Sequence, residues 1–114
     1  MPLELVDPSS TYELTHSSGA AFTMRHWTVA MQEEVDTRCY VQDGKGGFQY
    51  LPAIERELKI TNALAGWRGV TMNGEAVECT PENRKKLPVG VMLWLVKDID
   101  DRAGLRMTDT EKKI

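Results

Sequence analysis

Residues 67–88 read WRGVTMNGEAVECTPENRKKLP, and this stretch decides how the chain folds. Val70 and Met72 alternate towards Asn73-Gly74, and Ala76 to Cys79 resume beyond it. A two-residue turn between such runs demands positive φ, which Asn and Gly supply at low steric cost, so the segment predicts a β-hairpin behind a tryptophan anchor. Thr80 then offers a hydroxyl for an N-cap, and Pro81 fits a first helical turn, where a missing N–H is no loss. Lys85 and Lys86 close that short helix, where cations complement its dipole.

Working outward, Tyr12 to Thr15 and Ala20 to Met24 carry β-formers on either side of Ser17-Ser18-Gly19, the pattern of another hairpin. Tyr12 and Leu14 share one face, as do Phe22 and Met24. Thr28 can cap a helix in which Met31, Val35 and Cys39 recur at i, i+4, i+8, and which should end before the glycine-rich loop Asp43-Gly44-Lys45-Gly46-Gly47. A second helix starts at Pro52, with Ile54, Leu58, Thr61 and Ala65 on one line, Ile60 and Leu64 widening it, and Gly66 as its stop. Pro88 opens a last helix whose residues 91–96 are apolar nearly all round. The fold class is α+β: two β-hairpins in a small antiparallel sheet, packed with three longer helices and a short one in a single domain over residues 11–103. Residues 1–10 read as an arm and 104–114 as a polar tail.

With 114 residues, 41% hydrophobic and 27% charged, the chain has an ordinary globular composition and should fold without a metal or disulfide staple. A formal charge of -3 argues against nucleic acid as a partner. Cys39 and Cys79 are too few and too far apart for a disulfide framework or a zinc knuckle. No signal peptide opens the sequence and no apolar run approaches a membrane span, so the expectation is a soluble, cytoplasmic protein with no membrane partner.

Chemistry is sparse. The loop around Lys45 lacks the Walker spacing and its Gly-Lys-Ser/Thr ending, so it reads as a linker; a small nucleotide-binding protein or enzyme is the weaker alternative. His16, His26, Cys39 and Cys79 show no metal-ligand spacing, and His26 suits a structural hydrogen bond. Asp98, Asp100 and Asp101 read as a solvated helix end. No serine sits in a nucleophile motif. Catalytic, cofactor-binding and metal residues are therefore assigned to none, and the chain is read as a binding protein, not an enzyme. Its candidate partner contacts are Trp67, Trp94 and Leu95 as buried or interface anchors, with Arg84, Lys85 and Lys86 as a charged rim. A helix without a polar face is either enclosed in the monomer core or turns one side to a partner or a second copy of the chain.

The run of Trp67, Gly69-Val70, the turn Gly74, a short strand, then Thr80-Pro81-Glu82-Asn83 and Leu87 resembles the tail assembly chaperones of tailed bacteriophages and prophages. Tyr-x-Leu-Thr-His-x-x-Gly-Ala at residues 12–20 is similar to their N-terminal hairpin. The resemblance covers about a third of the chain and carries no catalytic residues. It implies a soluble helper in the bacterial host cytoplasm that binds the tail tape measure protein and brings tail tube protein to it. The loop at 43–47 and the basic run at 84–86 depart from that pattern, leaving open a structural virion tail or head-tail completion role.

Overall fold

In the computed structural model, which describes residues 2–104, the elements run β1 (Thr11–Thr15), β2 (Ala21–Arg25), α1 (Val29–Arg38), β3 (Tyr40–Gln42), β4 (Phe48–Tyr50), α2 (Pro52–Ala63), β5 (Leu64–Arg68), β6 (Thr71–Met72), β7 (Glu75–Ala76), α3 (Pro81–Arg84) and α4 (Val89–Ala103). The first hairpin forms as its alternation predicts. Tyr12 lies opposite Met24 and Leu14 opposite Phe22, so the apolar rows of β1 and β2 share one face. The strand order of the main sheet is β1-β2-β5, and the chain is one α+β unit.

The third strand comes from a segment whose periodicity predicts helix. Instead of running to Ala65 and stopping at Gly66, α2 ends at Ala63, and Leu64 is both its C-cap and the first residue of β5. As a strand residue Leu64 sits fully buried in the core, while Trp67 lands opposite Phe22. The register slips between Thr23 and Met24, where Ala65 is the extra residue; such a bulge bends the strand and absorbs the abrupt exit from the helix. Burial in the sheet outweighs a helical pattern that the sequence continues for two more residues. Gly69, at φ 76, then turns the chain out of the sheet; a Cβ there would stand 3.3 Å from the Ala20 Cα.

The predicted caps are present. The Thr28 hydroxyl oxygen accepts from the Met31 N–H (3.3 Å) and that of Thr80 from the Asn83 N–H (3.1 Å). Asn73 (φ 54) and Gly74 (φ 83) make the primed turn, joining β6 to β7 in a ladder of its own beside the main sheet. α1 ends before the glycine loop as expected, at Arg38 with Cys39 as its C-cap, and Tyr40 to Gln42 then pair with Phe48 to Tyr50 across that loop. Aromatic residues on both sides of a glycine turn, with the β-branched Val41 beside Tyr40, favour a ladder over a further helical turn.

The main core joins Phe22 and Met24 of β2, Ile60 and Ala63 of α2, Leu64 of β5, and Leu95 and Ile99 of α4. A satellite cluster of Val35, Cys39 and Leu58 holds α1 against α2. Between α2 and α4 the Lys59 ammonium, 4% exposed as a residue, donates to Glu55 Oε1 and Asp100 Oδ1, each at 2.7 Å. α4 closes on Gly104 in the left-handed region (φ 71). Residues 2–10 hold no helix or strand and turn at Asp7, whose carboxylate accepts from the Ser9 N–H (2.9 Å). The tail expected beyond Gly104 lies outside the described residues.

Candidate functional site

α2, the α3 turn and the start of α4 enclose a groove of about 360 Å³. Its apolar lining comes from Ala53 and Ile60 of α2, Pro81 and Leu87 around α3, and Val89 and Met92 of α4; Thr61 and the charged Arg56, Glu57, Arg84 and Lys85 supply the polar part. On α2 the spacing of Ala53, Arg56, Glu57 and Ile60 places them along one side of the helix, away from the line of Leu58 that meets α1. On α4 the buried positions are Leu95 and Ile99, whereas Val89 is 68% and Leu93 48% exposed. Val89 and Leu93 stand one turn apart and form a ridge running from the groove along the helix.

The six nominated residues divide by environment. Leu95 is fully enclosed in this chain's own core, so it is an internal anchor and no partner reaches it. Trp67 is half-buried; its indole Nε1–H donates to the Val77 carbonyl (2.8 Å) and its ring meets Phe22 edge-on, which ties the second hairpin to β5. Trp94, also half-buried, packs edge-on against Phe22 and His16. Arg84 turns inward: its Nε donates to Cys79 Sγ (3.4 Å) and its Nη2 to the Leu64 carbonyl (3.3 Å), fastening α3 to the start of β5. Lys85 and Lys86 are exposed, and Lys85 lines the groove with Arg84. On the last helix Leu95 is thus kept inside, whereas Leu93, with Val89 a turn before it, is left exposed.

Sequence reasoning missed Arg56, Ile60, Val89 and Met92. The signal was the side of α2 holding Ala53, Arg56 and Ile60, and the i, i+4 pair Val89 and Leu93 ahead of the buried Leu95 and Ile99.

The glycine loop is organised around its own aspartate. Asp43 Oδ1 accepts from the Lys45 N–H (2.8 Å) and the Gly47 N–H (3.2 Å), so these two amides already hold a carboxylate. Of the three aspartates of α4, Asp101 lies at the solvated end as expected, whereas Asp98 and Asp100 are half-buried and engaged with other elements, which corrects that part of the reading. Asp98 accepts from the Tyr12 hydroxyl (2.8 Å) and Arg102 Nε (3.0 Å), Asp100 from Lys59, and Asp101 from Lys97 (2.7 Å). Burial, reinforced by the Asp98 carboxylate, pushes the Tyr12 phenol well above its ordinary pKa, against the opposing Arg102 guanidinium. Burial alone would pull the Lys59 ammonium down, but Asp100 and Glu55 outweigh it and hold its pKa above the ordinary value. His26 lies against the Tyr12 ring, centroids 4.9 Å apart, and among the described residues this contact stands in place of the expected hydrogen bond. Cys39 is buried, and burial raises its pKa, so its thiol is held protonated. No group of three or more His, Cys, Asp or Glu is placed to hold a metal among the described residues.

Fold and site together define a small α+β protein with an apolar, cation-rimmed trough between two helices. Set against known proteins, no family model matches the chain, and no curated protein or solved structure is significantly similar to it. No helix among the described residues is long and apolar enough to cross a membrane.

Proposed function

We propose that this chain is a tail morphogenesis factor of a tailed phage or prophage, acting as a tail assembly chaperone by protein–protein contact in the host cytoplasm. The observation that carries this reading is the open groove with its Val89–Leu93 ridge, an apolar surface that packing among the described residues leaves uncovered. It adjoins the segment from Trp67 to Pro88, on which the resemblance to tail assembly chaperones rests. Of the basic run, Arg84 serves the fold itself, while Lys85 and Lys86 stay exposed and available to a partner.

Co-expression with neighbouring tail genes, followed by affinity capture of this chain, tests the reading. Retention of tape measure or tail tube protein supports it, and recovery of neither sinks it. Mass spectrometry of purified particles separates the alternatives, because a chaperone is released before completion whereas a tail or head-tail completion protein stays in the virion.

A further inference from the structure

We propose that the groove between α2 and α4 receives an amphipathic helix of a partner protein, with apolar side chains facing Ile60, Leu87 and Met92 and acidic side chains facing Arg56 and Lys85. The inference rests on the binding role proposed above and names the chemistry of the segment bound.

Charge selects the occupant. The whole chain carries a net charge of -3, yet the groove is lined by Arg56, Arg84 and Lys85 against the one carboxylate of Glu57. Arg84 is fixed by hydrogen bonds to neutral groups, so its charge is uncompensated there. Among the described residues no ion pair engages Arg56 or Lys85. α4 begins at the groove with no side-chain cap and no acidic residue in its first turn, so its amide end adds positive potential on the same side. A carboxylate-bearing partner is attracted here and a cationic one repelled.

Shape selects a helix over a compact ligand. A small molecule filling the groove would leave the Val89–Leu93 ridge in water, whereas a helix about 10 Å across laid along α4 covers groove and ridge together. Apolar residues at i, i+3, i+4 and i+7 of such a helix would meet the floor, as in other helix-in-groove complexes. The trough is already formed by packed helices, which limits the ordering cost of binding.

The test is methyl NMR on the full-length protein titrated with a synthetic amphipathic helix carrying leucines at i, i+3, i+4 and i+7 and glutamates on its flanks. A second peptide has lysines in place of the glutamates. The acidic peptide should shift the Ile60, Leu87, Val89 and Met92 methyls at least tenfold more tightly than the lysine peptide. The double reversal Arg56→Glu, Lys85→Glu should weaken the acidic peptide at least tenfold and favour the lysine peptide; Arg56→Gln, Lys85→Gln should weaken it without that reversal. Both changes lie on exposed or half-exposed positions, and unchanged melting confirms that the fold survives. Equal binding of both peptides, shifts confined to other methyls, or no shift with either would overturn the proposal. Tail proteins captured equally by the native and charge-reversed chains would sink the groove while leaving the chaperone role standing. Groove binding with no tail protein captured would do the opposite.

Discussion

Two hairpins of this chain differ in what covers them. β1–β2 gains a third strand in β5 and a layer of helix, so Phe22 and Met24 disappear into the core. Among the described residues β3–β4 joins no further strand; Tyr40, Phe48 and Tyr50 share one of its faces, and Phe48 is 70% exposed. Both segments carry aromatic residues, so composition does not separate them. What separates them is a third strand and an apolar helix at the right place in the sequence, since an isolated two-stranded ladder is marginal in water. The β3–β4 ladder holds because its ends are continuous with α1 and α2, and Leu51 N–H donates to the Cys39 carbonyl (2.7 Å) at its base.

Stability measurements can break or sharpen that contrast. The largest effect is expected from Leu95→Ala, which opens a cavity in the layer over β2: a loss of about 3 to 4 kcal/mol in chemical denaturation. A loss under 1 kcal/mol would mean that the helix layer does not hold the first hairpin. Lys59→Met should come next, at about 2 kcal/mol, because it strips the cation from Glu55 and Asp100; both carboxylates keep some water, so the cost falls below that of a fully buried pair.

Tyr12→Phe, on the covered hairpin, should cost about 1 kcal/mol at neutral pH through the lost hydrogen bond to Asp98. The folded chain holds the protons of Tyr12 and Lys59 more tightly than the unfolded chain does. Their stabilisation is therefore complete below pH 10.0 and 10.5 respectively, and fades as pH rises through the elevated folded values. Melting temperatures from pH 8 to 11 should fall at the basic end, and the Tyr12→Phe variant should fall less. A variant with the same basic-side slope as the native chain would remove Tyr12 from that account. Smallest of all, Phe48→Ser on the uncovered hairpin should change stability by less than about 0.5 kcal/mol. A cost above 1 kcal/mol would show that β3–β4 is covered in solution, for example by a second copy.

Local chemistry made part of this fold readable in advance. Asn73-Gly74, Thr28 and Thr80 each act on backbone groups within three residues, so their roles follow from sequence spacing. The change from α2 to β5 was hidden because Leu64 and Ala65 satisfy a helical period as well as a strand; only the position of β2 decides between them. Of the site, the basic run was visible, but not that Arg84 would turn inward. The groove was not visible as a unit, because Ile60, Leu87 and Met92 come from three segments whose proximity is set by tertiary packing. Leu95 and Leu93 show the same limit: on a helix apolar all round, the sequence identifies two burial surfaces without saying which one the chain keeps.

The ammonium of Lys59 acts as a dowel between the two walls of the groove. It meets a carboxylate of its own helix and one from α4 at the same 2.7 Å. Sliding either helix by a turn would strand a charge away from water. The spacing of α2 and α4 is thereby locked in a way that apolar packing alone, which tolerates slippage between similar side chains, would not guarantee. Any occupant of the trough meets walls held at a fixed gauge, and selects itself by fitting that gauge rather than by forcing it apart.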